Sequence, residues 1–178
     1  MEQLFNLANF KSASIIDNNV PDNPGLYCLK IKDTSSLPSE FQKAIKSQNH
    51  PFIYIGIATK SLRKRMLHQE LRAKGHGTFF RSLGAALGYL PPFNSLQFKK
   101  NKRNYQFSDN DERDIISWIN KNIEVNWVMH NSEIYDIEFQ LIKKYKPILN
   151  LDKNPEKLHV LSVLRKKCVD FANGISIL

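Results

Sequence analysis

The chain has 178 residues, 42% of them hydrophobic, a balance that excludes a disordered polymer and suits one domain with a substantial core. No apolar run approaches the roughly 18 residues of a membrane span, and the opening MEQLFNLANF lacks a signal peptide's basic-then-apolar layout, so a soluble cytoplasmic protein with no membrane attachment is expected. Lys and Arg number 26 against 17 Asp and Glu, and the formal charge of +9 favours a polyanionic partner through phosphate neutralisation.

In chain order, NNVPDNPGLYCLKIKD reads as a turn punctuated by Pro24-Gly25 and then a strand with Tyr27, Leu29 and Ile31 on one face. A polar connection follows, holding a short amphipathic helix in which Phe41 and Ile45 are four apart. The next strand, 52–57, sets Ile53, Ile55 and Ile57 on its buried face and Phe52, Tyr54 and Gly56 on the other. Ser61 then N-caps a basic helix running to about Ala73. Thr78 caps a second helix, stopped by Gly88 and two prolines. FNSLQFKKNKRNYQF suggests a hairpin with a basic tip. Ser108 and Asp111 open a third helix in N-cap and N3 relation, IEVNWVMH alternates as a strand, and the helix at 132–146 ends at Pro147. Residues 155–173 form a final amphipathic helix. The order β-β-α-α-α-β-α-α predicts an α+β fold with a small central sheet, inserted helices and a C-terminal helix, all within one domain spanning 1–178.

The cysteines and histidines form no metal-ligand pattern, whereas the lysines and arginines cluster at 60–65, 99–103 and 165–167. Cys28 and Cys168 are too far apart for a zinc spacing and read as core thiols of a reducing compartment. The five histidines make no zinc pattern. Asp109, Asp111, Glu112 and Asp114 offer a rival metal site, but acids in a first helical turn are what capping and the macrodipole favour.

Glu138 is the anomaly. It lies on the apolar stripe of Ile134, Ile137, Leu141, Ile142 and Tyr145, where a carboxylate needs either a cationic partner or a metal. Among the cations Lys60, Arg63, Lys64 and Arg65, the last is three after Leu62, which turns it toward the sheet, where it either meets a phosphate bidentately or, like most such residues, faces solvent. His68 on the same helix either contacts a phosphate or faces solvent. Tyr27 and Tyr54 each lie near a glycine, Gly25 and Gly56, and read as packing residues singly and as a site in combination. Lys99, Lys100, Lys102 and Arg103 beside Tyr105 combine cations with an aromatic, the mixture suited to nucleic acid.

GLY at 25–27, YIG at 54–56, SLRKR at 61–65, Glu138 and KPILN at 146–150 together resemble the GIY-YIG nuclease superfamily, in that family's order, across residues 24–152. The first motif carries Leu26 in place of isoleucine, and where many members place a histidine four after the arginine this chain has Gln69. The resemblance implies a three-stranded antiparallel sheet flanked by helices and a DNA endonuclease, on duplex or branched DNA, that uses one Mg²⁺ or Mn²⁺ ion. Carried over, Tyr27 and Tyr54 are the motif tyrosines, Gly25 and Gly56 the motif glycines, Arg65 the motif arginine, Glu138 the metal ligand and Asn150 the terminal asparagine. Tyr27 would accept the proton of the attacking water, its pKa lowered for the task by cations and metal. The alternative is a catalytically silent nucleic-acid-binding module of the same fold.

Overall fold

The computed structural model describes residues 1–176. Four strands form one antiparallel sheet: β1 (Lys11–Ser12), β2 (Gly25–Ile31), β3 (Phe52–Ala58) and β4 (Ile123–Met129), in the order β1-β4-β2-β3. The three strands expected are present, and the two-residue β1 adds a fourth at the edge of β4, pairing Lys11 with Val125. β2 lies between its long neighbours, so Tyr27 faces Gly56 on one side and Trp127 on the other.

Both sides of this sheet are covered, which departs from the one-sided strand predicted over 52–57. Tyr27, Leu29, Ile31, Tyr54 and Val125 pack into the larger core. The helices over it are α2 (Ser39–Lys46), a π-type helix (Arg63–Leu71), α3 (Thr78–Ala86), α4 (Asp109–Asn122) and α6 (His159–Ala172). Leu26, Cys28, Phe52 and Ile55 pack on the other side with Leu4 of α1 (Glu2–Phe5) and Ile134 and Ile142 of α5 (Ile134–Tyr145). The β2–β3 register slips between Leu29 and Lys30, leaving Ile53 as the extra residue of a bulge. Phe52 consequently joins the side of Ile55, against the rings of Phe5 (5.2 Å) and Tyr145 (5.7 Å).

Local signals set the start of α4 and the end of α5. Ser108 Oγ accepts the Asp111 N–H at 3.3 Å and bonds its carboxylate at 2.7 Å, so Asp111 of the acidic cluster is tied up in the cap of α4. Lys146 ends α5 in the left-handed region, donating its N–H to Ile142 O at 2.8 Å just before Pro147. Gly77, rather than Thr78, is the residue that precedes α3. The stretch from 92 to 107 is a succession of turns with no hairpin, because Tyr105 and Phe107 turn inward to the core. Cys28 and Cys168 are both buried and unbridged. Among the described residues no helix is long and apolar enough to cross a membrane.

His76 makes the fold acid-sensitive. Its imidazole is buried, with Nε2 accepting the Phe107 N–H at 3.3 Å and Nδ1 without a partner among the described residues. Because that N–H needs the Nε2 lone pair, the 3.3 Å approach of Glu112 to the same nitrogen is not an ion pair. Burial, then the Arg81 charge, push the imidazole down to about 4. The unfolded chain, with histidine near 6.5, therefore binds the extra proton first. Stability should fall as pH drops from about 6.5 to about 4, by at most about 1.4 kcal/mol per pH unit. Thermal melts across that window should show the loss, and His76→Gln, which does not titrate, should flatten it.

Candidate active site

The glycine of the second motif exists for the tyrosine of the first. Tyr27 and Gly56 are cross-strand partners, and a Cβ on Gly56 would lie 2.5 Å from both Cζ and Oη of Tyr27. Tyr27 can lay its ring across β3 only where β3 has no side chain. Gly25 has a comparable constraint, since a Cβ there would meet Val128 O at 2.3 Å. Tyr54, two residues from Gly56 on the same face, stacks on Tyr27 with ring centroids 6.2 Å apart.

The basic helix is built differently from the α-helix that the sequence suggests. Ser61 Oγ accepts the Lys64 N–H at 3.0 Å, as predicted for a cap, but the chain then winds as a π-helix, in which residues five apart come together. Arg65 and Glu70 meet in this way, Nη2 to Oε1 at 2.9 Å. Glu70 is the residue that sequence reasoning missed. Its side chain is 0% exposed, and four donors converge on it: Arg65, the Tyr27 hydroxyl (3.3 Å to Oε1) and the N–H groups of Phe79 (2.8 Å) and Phe80 (3.3 Å) to Oε2. The last two are unpaired donors at the start of α3, so Glu70 caps one helix while gripping the arginine of another. Gly77 leaves room for it, because a Cβ there would lie 1.9 Å from Oε2. An acid five residues after the arginine gave no signal, since α-helical spacing would place it about 140° around the axis.

Asn150 does its work on the backbone. Its Oδ1 accepts the Ile55 N–H at 2.9 Å and its Nδ2 donates to Ile55 O at 2.8 Å, clamping β3 between Tyr54 and Gly56. Glu138 stands at the edge of the α5 stripe rather than within it, and its carboxylate is 2.7 Å from Lys153 Nζ. The cationic partner that the sequence left open is therefore present.

Tyr27, Tyr54, Gly56, Arg65 and Glu138 line one cavity of about 370 Å³, with Lys60 and Lys64 also on its wall. Gln69 reaches it too and accepts from Arg65 Nη1 at 3.1 Å. Tyr135, exposed on α5, completes the rim and was not singled out in the sequence. His68 and Arg63 line an adjoining recess with Asp22, outside this cavity. Lys99 and Lys100 line a different recess, Lys102 is tied to the carbonyls of Leu96 and Gln97, and Arg103 is exposed. Tyr105 is buried, its hydroxyl donating to Arg81 O at 3.3 Å, so it cannot stack on a base.

The electrostatics overturn one expectation. Burial, then the Glu70 carboxylate and Tyr54, push the Tyr27 phenol well above its ordinary value, and the opposing effect of Arg65 is smaller. Burial and Glu70 raise Tyr54 as well. Burial also raises Glu70, against the pull of Arg65 and the two backbone amides. Both phenols are thus neutral and well suited to donate hydrogen bonds. For a cation, the donors fit an ion that keeps most of its water. Among the described residues no three His, Cys, Asp or Glu come together as a cage, whereas Mg²⁺ is commonly held by one or two carboxylates plus substrate phosphate and water, which Glu138 at an open cavity can satisfy.

A search of curated proteins and a search of solved structures give no match to this chain. The sequence pattern of the family described as the GIY-YIG catalytic domain matches residues 25–167, which include the paired tyrosines, Arg65, Glu70, Glu138 and Asn150. The chain belongs to the GIY-YIG family and carries a nuclease-type domain.

Proposed function

We propose that this protein is an endonuclease that hydrolyses DNA phosphodiester bonds in the cavity between β3, the π-helix and α5. The observation that carries the reading is the convergence of two phenols, a guanidinium and a carboxylate on one cavity walled by lysines. A Mg²⁺ or Mn²⁺ ion held by Glu138 would stabilise charge on the leaving oxygen. Arg65, fixed on one side by Glu70 and with a third of its side chain still exposed, directs its remaining N–H groups at the scissile phosphate. Lys60 and Lys64 hold the flanking backbone.

A phenol with a raised pKa cannot ionise in advance, but Tyr27 has an outlet for its proton. Its hydroxyl donates to Glu70 Oε1, so Tyr27 Oη can take a proton from the attacking water while its own proton passes to Glu70. In the same step the water oxygen bonds to phosphorus and the bond from phosphorus to the leaving sugar oxygen breaks. Tyr54, whose hydroxyl bonds to no other described residue, orients the water or a phosphate oxygen. Incubating the purified protein with plasmid, branched DNA and single strands, with and without Mg²⁺, tests the reading. Mapped, cation-dependent cuts are expected, and their absence on every substrate rejects it.

The second reading, a silent nucleic-acid-binding module, draws support from the Lys153–Glu138 pair, which already neutralises the carboxylate. The two readings part at Lys153→Ala. For an enzyme this change should lower the Mg²⁺ concentration at half-maximal cleavage about fivefold, the effect of removing a competing partly exposed ion pair worth up to about 1 kcal/mol. For a binding module there is no cleavage to titrate.

A further inference from the structure

Phe98 is 93% exposed, while Tyr105 and Phe107 of the same segment are buried. Its neighbours Lys99, Lys100 and Arg103 are exposed cations. The turn that presents them is held in place. Lys102 Nζ donates to Leu96 O at 3.0 Å, and Asn101 Oδ1 accepts the N–H groups of Arg103 and Asn104 at 2.8 and 3.1 Å. Asn173 reaches from the end of α6 to Lys102 O at 2.9 Å, and Leu96 N donates to Ala172 O at 2.7 Å. Beside the turn lies a recess of about 490 Å³ walled by Lys99, Lys100, Asn101, Asn104, Gln106 and Phe107. An anchored turn therefore holds an aromatic ring out in water next to a basic recess rich in side-chain amides.

We propose that this surface is a second nucleic-acid site that binds an unpaired nucleotide, with the base stacked on Phe98 and its phosphates on Lys99, Lys100 and Arg103. The inference rests on the reading of the protein as a DNA nuclease and gives that substrate a single-stranded part. Duplex bases have both faces occupied by their neighbours and cannot use the ring, whereas an unpaired base can. Asn104 and Gln106 supply donors and acceptors, and Asn101 its Nδ2 donors, of the kind that bond base edges. An anionic membrane is the poorer fit. Phe98 is the single fully exposed apolar group of the turn, and Phe93, half exposed, already packs against the Phe171 ring at 5.1 Å.

The test measures anisotropy of a labelled 15-nucleotide single strand and of its duplex, in EDTA so that nothing is cut. Phe98→Ala should weaken single-strand binding about 5- to 150-fold, the range that stacking of one base supplies. It should leave duplex affinity within about twofold, and Phe98→Trp should keep single-strand affinity. Replacing Lys99, Lys100 and Arg103 by alanine should reduce the slope of log affinity against log salt by about 0.7 per cation lost on single strands. Circular dichroism melts confirm that each variant folds. Equal affinity of Phe98→Ala and wild type for single strands overturns the proposal, as does an equal loss on both DNAs. Phe98-dependent binding to vesicles of anionic lipid with no effect on DNA assigns the surface to a membrane and overturns it too. Cleavage by wild type in Mg²⁺, run separately, reports on the nuclease reading alone, so the two can fail independently.

Discussion

Tyr27→Phe should slow single-turnover cleavage by about 10²–10⁴-fold, the usual worth of a positioned proton acceptor, while DNA affinity stays nearly unchanged. The ring that fills the space over Gly56 is kept, so the sheet should pack as before. Glu70→Gln is the informative partner. The amide retains the shape of the carboxylate but cannot receive a proton from Tyr27, and it weakens the hold on Arg65. If Tyr27 and Glu70 act as one relay, the double variant should be no slower than the slower single one, since groups that act as a unit are not additive. The rate of Glu70→Gln should also lose the acidic limb of its pH profile. Multiplying effects and an unaltered pH profile would make Glu70 a positioning residue for Arg65 alone, and full activity in Tyr27→Phe would pass the role of base to Tyr54.

Glu138→Gln should reduce Mg²⁺-dependent cleavage by at least about 10²–10³-fold without unfolding the protein. Glu138 sits at the cavity edge of α5, where its one partner among the described residues is Lys153, so an amide of the same shape costs the fold little. Affinity for DNA measured without divalent ions should be unchanged or slightly higher, because one negative charge has left the cavity proposed to take the phosphate. Retention of full cation-dependent activity would remove Glu138 from the mechanism.

The outline of the fold was legible in the sequence because its long elements carry strong periodicity. β2, β3, β4, α4, α5 and α6 are all present, although α6 begins at His159 rather than at 155 and the alternation expected of β3 is broken by its bulge. β1 was not legible, since two residues have no period. The π-helix was not legible either, and that hid the most connected polar residue of the site. Residues 65 and 70 look unrelated on an α-helical wheel and are adjacent on the helix that forms. The turn segment misled in the opposite sense. Tyr105 and Phe98 both read as aromatics among lysines, and only the fold decides which is buried. The motif residues were legible as a set through resemblance, but their physics was not. The phenol expected to be acidified by its surroundings is held neutral by burial beside a carboxylate.

Asn150 has a consequence beyond the cavity. β3 is the outer strand of the sheet, and such a strand offers its free amides and carbonyls to any passing chain. Here the Asn150 side chain satisfies both groups of Ile55 with paired bonds like those of a neighbouring strand, and Leu149 N–H takes the carbonyl of Ile53 at 2.9 Å. The segment that follows α5 thus acts as a short false strand along that border. It closes this part of the sheet's long side to strand-by-strand association, so the side chain that clamps β3 beside Tyr54 also guards against aggregation along that strand.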